Sequence, residues 1–275
     1  MLKKILIKAQ KNVFSKTIGS NVTKLKGDGY NFTELREYSS GDDIRHIDWI
    51  ISSKLSKPYV KLFTQERELN IVIAPFISAS LLFGTKHHKK DLQSEICALL
   101  SYSCLQQNNP FESYLCAHEV FIGTLRSKKS DAVSDFISKV DSFDLIGKEL
   151  NYRVVLQGIY EYVKRPSLIF MIGDFFDTQN LNLSALNTKH EIILIIVRDR
   201  FEENPEVLGS VNILDLTLQK SASVLFDTKN IQEYKQALHD KDTDFENTLK
   251  EMGVKFVKIY TDEDPSEKII SLMSR

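Results

Sequence analysis

Two unbroken apolar runs constrain this chain more than anything else in it: "SLIFMIG" at 167–173 and "EIILIIV" at 191–197. A strand with one wet face alternates apolar and polar residues, whereas a run that is apolar throughout belongs to a strand covered on both faces. "LNIVIAPFI" at 69–77 has the same character and is expected to follow, across a turn-like break, a strand at "PYVKLF". Helical spacing predicts a helix over about 86–107, with Leu92, Ile96, Leu99, Leu100 and Leu105 inward. Strands at "SYLCA" and "VFIGTL", helices near 128–140 and 148–163, and a short helix near 180–187 come next. Short strands at "VNILDL" and "SVLF", a helix over about 230–251, the strand "VKFVKIY" and a helix from Pro265 complete the pattern. Buried strands alternating with helices define an α/β fold, a mostly parallel sheet sandwiched by helices.

Residues 1–68 are of another kind, an N-terminal extension to a sheet domain spanning 69–275. Lys3, Lys4, Lys8, Lys11, Lys16, Lys24 and Lys26 all precede the first acid, Asp28. Leu2, Ile5, Leu6, Ala9 and Val13 follow helical spacing, so residues 2–17 read as a basic amphipathic helix. Such a helix either packs on its own domain or touches an anionic membrane surface through Lys3, Lys4, Lys8 and Lys11. With 36 Lys+Arg against 37 Asp+Glu, the chain lacks the basic excess of a general nucleic-acid binder. No apolar run approaches the roughly 20 residues that span a bilayer, and the N-terminus lacks the pattern of a signal peptide. A cytoplasmic protein is expected. Cys97, Cys104 and Cys116 have no C-x-x-C spacing and are expected as buried, reduced thiols.

In an open α/β sheet, ligands bind outside the carboxyl ends of the strands. Two such ends stand out: Ser78-Ala79-Ser80, and Gly173-Asp174. Serines two apart in an extended loop project the same way, so both hydroxyls can meet one ion, with an aspartate from the neighbouring strand completing the shell. The alternative is that the serines satisfy the loop backbone or cap the next helix. Asp174 and Asp177 in "GDFFD" also suit a Mg²⁺-dependent enzyme acting on phosphate esters. No Lys-bearing Gly-rich loop or G-x-S-x-G elbow supports catalysis. The six His, with His87 and His88 in a solvated "KHHKK", have no ligand-like spacing.

"REYSSGDDIRHIDW" places Arg36, Asp42, Asp43, Arg45 and Asp48 around Tyr38 and the single tryptophan, Trp49. Acids alternating with arginines beside aromatics form either a charge-paired clamp, whose disruption strands a buried partner, or a docking surface.

That segment, with "GDGYNFTEL" before it and "QEREL" after it, resembles the signature of the bacterial domain-of-unknown-function family fifty-eight. "SLIFMIGDFFD", "RDRFEENPEVLGSVNILDLT" and "MGVKFVKIYTDEDP" extend the resemblance along the chain. It implies a von Willebrand factor A-like domain, commonly encoded beside MoxR-type AAA+ ATPases. The function implied is that of a non-enzymatic interaction module, an adaptor or partner of such an ATPase acting on an unknown client protein. A peripheral membrane-associated scaffold is a further alternative.

The resemblance also implies a metal-ion-dependent adhesion site of D-x-S-x-S, a distant Thr and a further Asp around Mg²⁺. On that pattern the serines are Ser78 and Ser80, the further acid is Asp174, and Phe76 stands at the first acid. Residues 127–130 are the substitute for the Thr. Two hydroxyls and one carboxylate hold little charge for Mg²⁺, so a degenerate site with no cofactor is expected, and Phe76→Asp is expected to restore a metal response.

Overall fold

The computed structural model describes residues 5, 6, 9, 30–65, 69–147 and 149–273. Its contacts divide the chain into two units, Thr23–Leu69 and the remainder. In the smaller unit, β1 (Tyr30–Glu37) and β2 (Tyr59–Gln65) form an antiparallel hairpin, and α1 (Trp49–Leu55) lies in the connection. Asp48 starts α1 by accepting from the N–H groups of Ile50 and Ile51, two of the donors a helix start leaves unpaired.

The larger unit is built on six strands: β3 (Ile71–Pro75), β4 (Phe111–Cys116), β5 (Val120–Ser127), β6 (Leu168–Gly173), β7 (Glu191–Arg198) and, after the separate hairpin β8 (Gly209–Asp215) and β9 (Lys220–Phe226), β10 (Lys255–Tyr260). They lie in the order β10-β7-β6-β3-β4-β5, and every pair is parallel except β4 with the edge strand β5. This is the α/β arrangement that the apolar runs imply: β3 and β6 are buried at every residue. The helices are α2 (Lys89–Gln106), α3 (Ser130–Ser142), α4 (Tyr152–Tyr162), α5 (Ser184–Asn187), α6 (Arg200–Glu203), α7 (Thr228–Glu251) and α8 (Pro265–Met273).

α2 packs with α3 and α8 over one face of the sheet. On the other face, Val72, Ala74, Ile169, Met171 and Leu194 meet Val155 and Ile159 of α4 and Leu249 of α7. α2 is buried on most sides; Ser101 and Ser103 donate to the carbonyls of Cys97 and Leu99 within the helix, while the buried Ser94 hydroxyl has no hydrogen-bond partner among the described residues. Cys97, Cys104 and Cys116 are free and buried, and burial pushes their thiols up, Cys104 to about 12.

At the N-terminus, Ile5, Leu6 and Ala9 are helical, with Ile5 and Ala9 buried. The remaining positions of the expected basic helix, including Lys3, Lys4, Lys8 and Lys11, lie outside the described residues. Among the described residues no helix is long and apolar enough to cross a membrane.

Candidate functional site

β3 and β6 are neighbours in parallel register, so the loops leaving their carboxyl ends emerge side by side. Ser78, Ser80 and Asp174 meet there. The two hydroxyls are 2.7 Å apart, Ser78 Oγ lies 3.5 Å from Asp174 Oδ1, and Ser80 donates to Asp174 Oδ2. Neither expected alternative for the serines holds: α2 begins at Lys89 without a side-chain cap, and the hydroxyls face the carboxylate.

A cation is already present, and it belongs to the chain. Lys89 is fully buried, its Nζ 3.1 Å from Asp174 Oδ2 and 2.6 Å from Glu202 Oε1. The face of Phe176 lies 4.7 Å from the same ammonium. An isolated ammonium is costly to bury, and two carboxylates and a ring face offset that cost here. A second cation flanks the site: the Arg198 guanidinium stacks 3.6 Å from the Phe176 ring centroid, donates to the Asp174 carbonyl, and pairs with Asp242 at 3.1 Å.

The positions follow from the strand ends and the loop before α2. Asp199, just past β7, accepts from the Thr85 N–H at 2.9 Å and from the Thr261 hydroxyl at 2.7 Å, tying that loop to the ends of β7 and β10. Gly84 lies so close to the His87 carbonyl that a Cβ would stand 1.9 Å from its oxygen. One turn beyond Lys89 on the same helix face, Gln93 donates to the carbonyls of Phe76 (2.9 Å) and Ile172 (2.8 Å), bridging the two strand ends. Phe175 takes a left-handed backbone (φ 47°), unusual for a bulky residue. Asp174 thus faces the serines while the Phe175 ring packs 5.4 Å from Phe76.

Burial acts to raise the Asp174 carboxyl, but Lys89, the Ser80 hydrogen bond and Arg198 together outweigh it, and the group titrates below the ordinary carboxylate range. For Glu202 burial wins over the attraction of Lys89, and its carboxyl is raised. A divalent ion needs anionic oxygens turned toward an open position. Here Asp174 Oδ2 is already shared between Ser80 and an ammonium. Phe76 is buried between Phe175 and Tyr152, whose ring centroid is 5.8 Å away. These residues do not fit Mg²⁺. Among the described residues, no three His, Cys, Asp or Glu side chains converge as a metal site.

Two expectations need correction here. Residues 127–130 do not stand in for the distant Thr: Ser127 pairs with Phe111 at the start of β4, and Lys128 reaches Asn108, at the opposite end of the sheet. The cleft beside Ser78 and Asp174 is lined instead by Glu149, Leu150, Asn151 and Tyr152 at the start of α4, with His118 and Thr217 also on its wall. Finally, "KHHKK" is not uniformly solvated, because Lys89 is its buried member.

In the smaller unit the charges pair locally. Arg36 holds Asp42 at 2.6 Å while Asp42 also accepts from the Ser39 N–H at 2.8 Å, closing the turn. The Ser39 N–H and then Arg36 hold the Asp42 carboxyl low. Arg45 pairs with Asp43 at 2.6 Å, and Lys61 with Asp48 at 2.8 Å. The Arg45 side chain is 85% exposed and its Asp43 partner is not buried either, so this pair is not the buried one the clamp expectation requires. Trp49 is 69% and Ile50 71% exposed, and Ile44 is exposed beside them.

Sequence reasoning missed Lys89, Gln93, Arg198 and Glu202. The last two follow "EIILIIV" directly, so the rule that ligands gather at strand ends points to them. Nothing local distinguishes Lys89 from Lys86 or Lys90.

A six-stranded sheet with one antiparallel edge strand, and with S-x-S and Asp at adjoining strand ends, is a von Willebrand factor A-like domain. The chain belongs to the family described as "Protein of unknown function DUF58", whose model matches residues 34–244. Uncharacterized protein Rv1480 of Mycobacterium tuberculosis is 23% identical over 252 residues, covering 90% of this chain and 79% of that protein. Uncharacterized protein Mb1516 of Mycobacterium bovis matches to the same extent. Among solved structures, conserved hypothetical protein BatB from Bacteroides thetaiotaomicron aligns with TM-score 0.45 at 10% identity, over 75% of this chain and 97% of that one. A von Willebrand factor type A structure from Catenulispora acidiphila aligns with TM-score 0.35 at 9% identity, over 93% and 50%.

Proposed function

We propose that this protein is a non-enzymatic, cytoplasmic interaction module with a degenerate metal-ion-dependent adhesion site. Its partner is a MoxR-type AAA+ ATPase, with which it serves in the assembly or remodelling of other proteins, and it needs no cofactor. The observation that carries this reading is the engagement of Asp174 Oδ2 by both Lys89 and Ser80. A carboxylate so engaged is neither a metal ligand nor a general base, which disfavours phosphate-ester chemistry. Asp177, the other acid of "GDFFD", accepts from the Gln179 N–H at 3.3 Å in its own turn.

The docking surface fits the segment around Trp49, where Trp49 and Ile50 are exposed beside Arg45 and Asp43. Exposed aromatic and aliphatic anchors bordered by charge are the composition of interface hot spots. The test is capture of the purified MoxR-type ATPase on the immobilised protein with ATP, with ADP and without nucleotide. Nucleotide-dependent capture that Trp49→Ala weakens at least tenfold, about 1.4 kcal/mol, is the expected result. No capture in any nucleotide state refutes the partnership. Metal-dependent ester hydrolysis abolished by Asp174→Asn would put the enzyme reading in its place.

A further inference from the structure

We infer that Lys89 is a resident cation: its ammonium pairs with Asp174, the acid that a metal-ion-dependent adhesion site turns to Mg²⁺, and so supplies in place of the ion the charge that this carboxylate would hold, which makes this strand-end site indifferent to divalent ions. The inference rests on reading Ser78, Ser80 and Asp174 as a former metal site, and it is independent of which partner binds.

The geometry is that of two carboxylates meeting on one nitrogen, with the serines behind one of them. Lys89 Nζ touches Asp174 Oδ2 at 3.1 Å and Glu202 Oε1 at 2.6 Å, and Asp174 in turn gathers both serine hydroxyls. The two carboxylates come from the ends of different strands, Asp174 after β6 and Glu202 after β7, so the ammonium ties the β6 end to the β7 end. The ammonium is compact and carries three donors, which suits a small oxygen-lined space better than a guanidinium. The aromatic packing agrees with this. With a tethered cation in place, the first acid of the pattern has no ion to hold, and Phe76 fills its position by stacking on Tyr152 and packing at a tilt against Phe175. Two observations of different kinds, an ammonium on Asp174 and an aromatic ring in place of a ligand, lead to one exchange. The exchange also has a functional side. A metal site varies with ion concentration and exchanges its ion, whereas a covalently held cation does neither, so the site stays in one state.

It follows that Phe76→Asp alone does not restore a metal response, because the ammonium remains. Lys89→Met does: it keeps the apolar stem, removes the charge, and leaves Glu202 and Asp174, the latter still holding Ser78 and Ser80, short of one cation. The experiment is thermal melting of the full chain in EDTA and in 10 mM Mn²⁺ or Mg²⁺. The wild type is expected to move by less than 1 °C. Lys89→Met is expected to gain about 3 °C or more in Mn²⁺, as for an ion at roughly ten times its Kd, and Lys89→Met/Asp174→Asn is expected to lose that gain. A folded Lys89→Met that no ion stabilises, or a Phe76→Asp protein that ions stabilise as strongly, overturns the inference. Should Lys89→Met fail to fold, amide spectra of the wild type titrated with Mn²⁺ decide it. Amides of Ser78, Ser80 and Asp174 that stay sharp at 1 mM Mn²⁺ support the resident cation; selective broadening there overturns it. Partner capture is scored separately, so loss of one conclusion leaves the other standing.

Discussion

Replacing Lys89 by Met tests the energetics of the site most directly. Lys89 is fully buried, and Asp174 is 4% exposed. Met preserves most of the stem volume, so the cost is electrostatic rather than a cavity. Removing one member of a buried ion pair typically costs about 3–5 kcal/mol, because the surviving charge is stranded. A second route gives a similar figure. A stranded carboxylate escapes by taking up a proton, and neutralising a group of ordinary pKa near 3.9 at pH 7 costs about 4 kcal/mol at 1.36 kcal/mol per pH unit. For a domain of this size that is a fall of about 8–16 °C in melting temperature.

The same reasoning sets the pH dependence. In the wild type the Asp174 carboxyl is held low, so its contribution is present above the ordinary carboxylate pKa and lost as pH falls through its own, lower value. In Lys89→Met burial is unopposed by that ammonium, the carboxyl is raised, and acidification relieves the penalty. Urea denaturation at pH 7.5 and pH 5 should therefore show a large deficit that narrows at the lower pH. A deficit below about 1 kcal/mol at pH 7.5, or one that widens on acidification, would refute the paired-charge account.

Three further outcomes are expected. His190 is buried with neither ring nitrogen hydrogen-bonded, and burial, then Lys189, lowers it to about 4. The unfolded chain therefore takes up a proton first, and stability should fall by about 2–3 kcal/mol between pH 6.5 and pH 4, a slope that His190→Leu flattens in denaturation curves. Gln93→Leu removes the donors to the Phe76 and Ile172 carbonyls, of which Ile172 keeps the Phe76 N–H, and should cost about 1–3 kcal/mol by urea denaturation, with hydrogen exchange rising first at the ends of β3 and β6. Arg45→Ala removes the surface pair with Asp43, which contributes little to stability, so a fall in ATPase capture by that variant larger than its change in stability reports docking.

The main sheet could be read from local chemistry because burial on both faces imprints itself on consecutive residues. "SLIFMIG" and "EIILIIV" became β6 and β7 almost residue for residue. Helix starts were less exact: α2 begins at Lys89 rather than near 86, since a tight turn at Gly84 delays it. The segment before residue 69 carried weak periodicity, and α1 within it went unread because its apolar side chains, Trp49, Ile50 and Leu55, are exposed rather than turned inward.

The strand-end rule also brought Ser78, Ser80 and Asp174 together correctly, although 94 residues separate Ser80 from Asp174. Parallel neighbours in a sheet deliver their loops to the same edge, and that much follows from the order of elements. What occupies the site did not follow. Lys89 sits among Lys86, His87, His88 and Lys90, and composition marks the whole stretch as solvated. Whether one of those ammoniums is in water or between two carboxylates depends on where Asp174 and Glu202 arrive, from strands 85 and 113 residues further along the chain. Apolar burial is a property of each strand's own residues and is written locally. The pairing of a buried charge is a property of three separate segments meeting, and only the folded chain brings them together.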